Sequence, residues 1–298
     1  MKILIDLQPC QGESAFRGIG RYSMSLTKAI VRNKGNHDVY ILLNGAFLDT
    51  IERIKSEFKG LLPKENILTF FIPTPVTQIE KENIWRSKVA ELIREYAISQ
   101  INPDIVHIHS LFEGFIDDIA TSVKAFSNNI TTSVTIHDLI PLIHKEYQSV
   151  HPNFKDWYFK KIEYLKKADL FLAVSNSSKQ EAVEYLSIDE SKIVSTSEAV
   201  DEKFQKIFIP PNLKQSILSK YGIEKPFVMY TPGGFDYRKN LDRLIHAFSK
   251  LPEAIKNQYQ LVITSKIPDG DKERLEHAIE EAGLNKNNVI ITGYVPDD

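Results

Sequence analysis

Short β-rich runs alternate with helical repeats along the whole chain, and few folds allow this. It is the pattern of βαβ units, in which a parallel sheet is covered by the helices that cross between its strands. Strands are predicted at residues 2–7, 39–43, 67–72, 105–109, 133–136 and 170–174, with one more at 193–196. Between them Tyr22, Leu26, Ala29 and Ile30 recur at helical spacing, and Ile84, Lys88, Val89, Leu92 and Ile93 mark one face of a longer amphipathic helix. Ser178 and Glu181 have the spacing of a capping box, which predicts a helix starting there and running towards Leu186. Residues 1–190 therefore read as a doubly wound α/β domain, and the Pro210-Pro211 pair stiffens a segment, 191–211, that reads as the interdomain connection. A second α/β unit occupies 212–298, with strands at 227–231, 260–264 and 289–292 and helices at 241–251 and 272–281. Sheets average about five or six strands, so this second domain is expected to be incomplete.

Composition narrows the function. Lysine plus arginine (37) against aspartate plus glutamate (39) gives a net charge of -2, so no global field draws the protein onto nucleic acid and any anion site is local. Cys10 is the only cysteine, which rules out an internal disulfide and a cysteine-rich zinc site and fits a reducing cytoplasm. Asp6 falls where a secretory leader would be apolar, and no apolar run approaches about 18 residues, so neither a leader nor a membrane span is expected. The basic and aromatic segment 151–167, with Lys155, Trp157, Tyr158 and Lys160, has two readings. It either rests on an anionic membrane surface, or packs its aromatics inward and solvates its lysines.

Four constellations could carry chemistry. In the second unit, Tyr230 to Asn240 joins a strand to a helix through Gly233 and Gly234 and ends in Arg238 and Lys239. Glycines let the backbone approach a ligand closely, and helix N-terminal N–H groups with two cations attract phosphate. In the first unit, Arg17-Gly18-Ile19-Gly20-Arg21-Tyr22 lies between the first strand and the first helix, at the crevice where doubly wound folds bind ligands. As a dinucleotide fingerprint it fails, because Ser23 stands where a third glycine belongs. His137-Asp138 ends a strand; the histidine could bond a sugar hydroxyl, with Asp138 fixing its tautomer or capping the next segment, or both could be structural. His107 and His109 share a strand face, spaced for a metal pair with Glu113 as the one nearby third candidate, and His109 could instead line the crevice. No Gly-x-Ser-x-Gly elbow, Walker A loop, His-Glu-x-x-His or EF-hand is present.

Taken in order, Arg17 to Tyr22, Ile136-His137-Asp138-Leu139-Ile140-Pro141, Ala173 to Lys179, Gly233 to Asn240 and Asn288 to Pro296 resemble the family 4 retaining glycosyltransferases over nearly the whole chain. Within that family it looks most like bacterial mannosyltransferases of O-antigen or capsule synthesis, through the opening residues 1–8 and the Gly233 to Asn240 segment. The resemblance implies a GT-B fold, two Rossmann-like domains facing across a cleft, with acceptor mainly on the first and nucleotide-sugar donor mainly on the second. It implies that Lys239, with Arg238 and Gly234, holds the donor diphosphate, that Gly18 and Gly20 approach the phosphates and transferred sugar, and that His137 contacts that sugar at the reaction centre. Arg21, His109 and Asp138 are then placed on the acceptor side or in the cleft.

The implied reaction is retaining transfer of a hexose, mannose from GDP-mannose being the leading candidate, onto a growing polysaccharide or lipid-linked glycan. No metal and no separate cofactor are implied, and the implied location is the cytoplasm, with peripheral contact at the inner face of the cell membrane. Two departures matter. Gly233 and Gly234 stand where many relatives carry a basic residue, which puts more weight on Arg238. The family's glutamate pair, about two helical turns apart, falls downstream of the Gly293-Tyr294-Val295-Pro296 segment and beyond Asp298, so this form is expected to be weakly active or inactive. The rival expectation is a non-catalytic glycan- or nucleotide-binding module of a glycan-assembly complex; a sugar-nucleotide epimerase or an NAD-dependent oxidoreductase finds no supporting motif.

Overall fold

The computed structural model describes residues 1–126, 129–201, 203–231, 234, 237–265 and 267–296. The chain forms two compact units, Met1–Glu202 and Lys203–Asp298. The first is built on seven parallel strands: β1 (Lys2–Asp6), β2 (Asp38–Asn44), β3 (Ile67–Phe70), β4 (Ile105–Ile108), β5 (Thr131–Ile136), β6 (Leu170–Ala173) and β7 (Ile193–Ser195), in the order β3-β2-β1-β4-β5-β6-β7. Its helices are α1 (Gly18–Arg32), α2 (Leu48–Glu57), α3 (Ile84–Ile101), the single turn α4 (Ile140–Ile143), α5 (Phe154–Leu165) and α6 (Asn176–Leu186).

The strands form because their apolar runs are buried on both faces of the sheet. Leu4 and Leu42 join one core with Val106, Val134 and Phe171, while Ile5, Ile41 and Leu43 join the other with Val31, Ile54 and Phe58. Neighbouring residues of one strand thus go to opposite faces, as a period of two requires. Strand order reverses between β1 and β4, and the crevice outside their carboxyl ends is where such sheets bind ligands.

Four expectations are resolved in the first unit. Ile193–Ser195, predicted above as a strand within the interdomain segment 191–211, is the seventh strand of the first sheet and pairs Ile193 with Phe171 of β6. The cap of α6 is Ser175, whose hydroxyl accepts from the Ser178 N–H at 3.0 Å; Ser178 instead donates its hydroxyl to the His137 carbonyl at 2.7 Å. Of the two readings of segment 151–167 the inward one holds for its core aromatics: Phe159 stays exposed, but Trp157 and Tyr158 are buried with Ile162 and Leu165 on the inner side of α5. Lys161 is buried with them: its ammonium donates to the Thr121 hydroxyl at 2.8 Å, and desolvation brings its pKa down to about 7.

The fourth concerns α3. Lys88, Val89 and Leu92, expected on its inner face, are exposed, and the buried residues are Ser87, Ala90, Glu91, Arg94, Glu95 and Ile98. The charges can face inward because each has a partner. Arg94 Nε donates to Asp6 Oδ2 at 2.6 Å, Glu95 accepts from Ser122 Oγ at 2.6 Å and Ala125 N at 2.9 Å, and Glu91 accepts from Lys160 Nζ and Tyr164 Oη, both at 2.8 Å. Buried charge that is paired and hydrogen-bonded is tolerated where isolated charge is not.

The second unit has a three-stranded parallel sheet in the order β10-β9-β8: β8 (Phe227–Tyr230), β9 (Gln260–Thr264) and β10 (Val289–Gly293). It carries α7 (Pro211–Lys220), α8 (Leu241–Ser249), α9 (Glu253–Gln258) and α10 (Asp269–Glu281). Leu241, Ile245 and Phe248 of α8 meet Leu261 and Ile263 of β9 and Leu275 of α10 in its core. Among the described residues no helix is long and apolar enough to cross a membrane.

Candidate functional site

In the first unit the candidate site begins at the loop between β1 and α1, on the switch-point side of the sheet. Three anchors hold this loop. Gln11 Nε2 donates to Asn44 O at 3.0 Å and Gln11 Oε1 accepts from Asn44 N at 2.7 Å. Glu13 N donates to Asp117 Oδ2 at 2.9 Å. Ser14 Oγ donates to the Glu113 carboxylate at 3.0 Å, which also accepts from Ser110 Oγ at 2.8 Å. Burial of Glu113 pushes its pKa up to about 7, against the pull of those two hydroxyls.

The two glycines of the motif have different jobs. A Cβ on Gly20 would lie 2.3 Å from the Ser14 carbonyl oxygen and 2.4 Å from that of Ala15, so Gly20 is required for the loop to fold back on the helix. Its own N–H donates to Ser14 O at 3.1 Å. A Cβ on Gly18 would meet nothing within 4 Å, and Gly18 is exposed. Arg17 at the N-cap contributes no side-chain bond, so among the described residues the Gly18 and Ile19 N–H groups point out of the start of a 15-residue helix without an acceptor. Such N–H groups, with Arg21 exposed on the same turn, suit an anion.

His137 follows β5. Its Nε2 lies 2.9 Å from the His109 carbonyl oxygen, and a carbonyl can only accept, so Nε2 carries the proton and Nδ1 presents a lone pair. Burial lowers the His137 pKa, with the His109 carbonyl opposing, so the ring is neutral at pH 7. The Tyr22 ring stands edge-on to it at 5.2 Å. Sequence reasoning used Tyr22 only as a helix-face residue, and nothing in the motif announces this contact. Asp138 is exposed, and its Oδ1 accepts from Ile140 N at 3.1 Å, so it caps the turn that opens α4 while the His109 carbonyl sets the tautomer.

His109 does not line a crevice: its side chain is fully buried, with Nε2 held 2.8 Å from Thr27 Oγ1 of α1. It serves through its carbonyl. His107 shares that face, the two rings being 4.6 Å apart, and its nitrogens meet Ser133 Oγ at 2.8 Å and Thr135 Oγ1 at 3.2 Å. The imidazole nitrogens that a metal pair would need are thus largely engaged by hydroxyls, and Glu113 faces Ser14 and Ser110 instead.

Burial of this pair has a measurable consequence. Desolvation lowers the His107 pKa to about 4, and that of His109 falls in the same direction. A base whose folded pKa lies below its unfolded value stabilises the fold fully above the unfolded pKa, and that stability is lost as pH falls towards the folded pKa. His107 alone therefore removes about 3 kcal/mol between pH 6.5 and pH 4. Urea midpoints of the wild type and His107→Asn, compared across that range, should show a steeper acid loss in the wild type; parallel curves would refute it.

In the second unit β8 leads to the turn Tyr237–Lys239 and then α8. Pro232, Gly233, Phe235 and Asp236 lie outside the described residues. Gly234 has a φ of 156°, which side-chain-bearing residues rarely adopt. Tyr230 Oη donates to Lys239 O at 3.2 Å and so ties the cationic turn to the strand. Asn240, at φ 56°, precedes α8 without a side-chain cap bond, and the one acid of the helix's first turn, Asp242, is held by Arg274 Nη1 at 2.6 Å. Arg238 is exposed; Lys239 is half-buried and, among the described residues, its ammonium has no acid partner. Each unit thus carries one strand–turn–helix junction suited to phosphate.

A Rossmann-type sheet followed by a second parallel α/β unit is the architecture of the GT-B class. Residues 16–204 match Glycosyltransferase Family 4 and residues 214–298 match Glycosyl transferases group 1; the chain belongs to glycosyltransferase family 4. It is 37% identical over 299 residues to the serotype-specific mannosyltransferase WbdA of Escherichia coli, covering 100% of this chain and 36% of that protein. The chain thus spans about a third of the length of the curated relative it matches. Among solved structures, a glycosyltransferase from Rickettsia africae has a TM-score of 0.61 at 20% identity, covering 99% of this chain and 69% of its own. Anabaena HepE in complex with UDP and glucose has a TM-score of 0.60 at 16% identity, covering 100% of this chain and 70% of its own. These structures share the fold.

Proposed function

We propose that the chain acts in a retaining hexosyltransferase that moves mannose from GDP-mannose onto a growing polysaccharide or lipid-linked glycan, at the cytoplasmic face of the cell membrane. The observation that carries this reading is Lys239, half-buried and without an acid partner among the described residues, beside Arg238 at a helix start with no side-chain cap bond, in a chain 37% identical throughout to a mannosyltransferase. A departing nucleoside diphosphate gathers negative charge, and preorganised cations and N–H groups stabilise that charge as it develops. Lys239, Arg238 and the backbone at Gly234 hold the diphosphate. The Gly18 and Ile19 N–H groups offer a second anion contact, and Gly20 shapes the loop that presents them. His137 accepts a sugar hydroxyl at Nδ1. Arg21 and Asp138 face the acceptor, and no metal or separate cofactor takes part. HepE, whose structure holds UDP and glucose, supports a nucleotide-sugar donor for this fold.

Calorimetric titration with GDP-mannose, GDP and UDP-glucose tests the reading. Lys239→Ala should weaken GDP-mannose binding about 30- to 100-fold, the loss of one charge-assisted contact. Lys239→Arg should recover part of it. A wild-type protein that binds oligosaccharide but none of the three nucleotides would establish the glycan-binding module instead. The anomeric configuration of the product, read by NMR, decides retention.

A further inference from the structure

The first turns of α1 bury two hydroxyls where a helix ordinarily lays an apolar stripe on its sheet. Ser23 and Thr27 are both fully buried. Each donates to the carbonyl four residues earlier, Ser23 Oγ to Ile19 O and Thr27 Oγ1 to Ser23 O, both at 2.7 Å. A hydroxyl has a single proton, so Thr27 Oγ1 can only accept from His109 Nε2, 2.8 Å away. His109 is therefore the Nε2–H tautomer. Its Nδ1 is enclosed without a hydrogen-bond partner among the described residues, so the bond to Thr27 is what anchors the ring.

Two contacts run from this helix to His137. The first passes through His109, whose side chain is tied to Thr27 and whose carbonyl accepts from His137 Nε2 at 2.9 Å. The second is the Tyr22 ring, one turn on from Gly18, which stands edge-on to His137 at 5.2 Å and to His109 at 6.2 Å. At its far end Tyr22 Oη is enclosed beside the side chains of Thr135 and Thr196, and burial pushes its pKa up. The ring thus spans from α1 to the carboxyl ends of β5 and β7.

We propose that α1 is the element that positions His137: Tyr22 holds the ring and keeps water off it, and Thr27, acting through His109, holds its Nε2 proton. Both act on the histidine and are positioning residues. The start of α1 presents the Gly18 and Ile19 N–H groups, and the Ser23 hydroxyl returns to Ile19 O. One helix therefore sets the spacing between the anion contact at its start and the Nδ1 lone pair of His137. Supports carried on a regular element hold such a geometry more closely than loops do. That Tyr22 and Thr27 serve transfer rests on the role of His137 proposed above; that they orient its ring does not.

Long-range proton–nitrogen NMR spectra of the full chain report the tautomer and titration of each imidazole, and the signals lost in His137→Asn identify this one among the 8 histidines. At neutral pH wild-type His137 should be the Nε2–H tautomer. Thr27→Val, close in size but without the hydroxyl, should populate the Nδ1–H form, and Thr27→Ser should restore the wild-type spectrum. Tyr22→Leu lets water reach the ring, so the His137 midpoint should rise towards the ordinary value of about 6.5; Glu198 and Asp138, the acids that act on it, stay in place. Tyr22→Phe should keep it low. In the intact enzyme Thr27→Val and Tyr22→Leu should each cut turnover about tenfold or more, with GDP-mannose affinity within about threefold of wild type. Wild-type His137 spectra in either folded variant overturn the proposal, because a merely structural role would lower the melting temperature alone. Tyr22→Leu, at a half-buried position, decides the matter if Thr27→Val does not fold. Altered spectra with wild-type turnover would uphold the positioning and remove His137 from the reaction instead.

Discussion

Arg94→Leu should destabilise the first unit by about 3–5 kcal/mol, because it leaves the Asp6 carboxylate buried without its counter-ion. Both side chains are fully buried, and Arg94 also donates from Nη1 to Ser122 O at 3.1 Å, so the substitution abandons a carbonyl as well as a charge. Gln8 tempers the loss: its backbone N and its Nε2 donate to Asp6 at 3.1 Å and 3.0 Å, which favours the lower end of the range. Urea denaturation at neutral pH measures the effect. The discriminating variant is the double substitution Arg94→Leu with Asp6→Asn, which removes the stranded charge and should recover at least about half of the loss. Equal stability of the single and double variants would show that the cost is one of packing. The effect should reach the site, since Gln8 also bonds Ala120 O at 2.8 Å and Asn44 Nδ2 at 3.1 Å, fixing the turn from which the Gly18 loop departs.

The strands were legible because a parallel sheet buried on both faces demands continuous apolar runs, and runs such as Val39 to Leu43 have no other home. α3 was legible as a helix but not in its orientation. Periodicity assumes that charge faces water, whereas the partners that let Arg94, Glu95 and Glu91 turn inward lie 88, 27 and 69 residues away. No local pattern encodes such pairings. The site divides in the same way. Gly18, Gly20 and Lys239 stand out as residue types at strand–helix junctions, but the contact that makes Gly20 obligatory, with the Ser14 carbonyl, arises from a loop too long to be a standard turn. The alternation of His107 and His109 along a strand puts both on one face, which offers a metal pair or a crevice-lining His109 side chain. The His109 carbonyl is what the site uses, and backbone groups carry no sequence signature.

That carbonyl also determines how the site should respond to mutation and pH. With Nε2–H committed to His109 O and the ring kept neutral by burial, Nδ1 is the only atom of the His137 ring able to take a hydrogen bond from a sugar hydroxyl. His137→Ala should therefore lower the turnover of the intact enzyme about 100-fold while changing donor affinity by less than about threefold, since the phosphate contacts are proposed at other residues. His137→Asn, which can place an amide oxygen near the Nδ1 position, should recover part of the rate. The pH dependence follows from the tautomer. Protonation puts a hydrogen on Nδ1 and removes the acceptor, and because burial depresses the folded pKa, the rate should stay level as pH falls to about 6.5 and drop only below it. A structural role for His137 would instead lower the melting temperature of His137→Ala and leave the acid limb in place in His137→Asn. Loss of rate with an unchanged melting temperature, together with disappearance of the acid limb in His137→Asn, assigns the lone pair itself to the reaction.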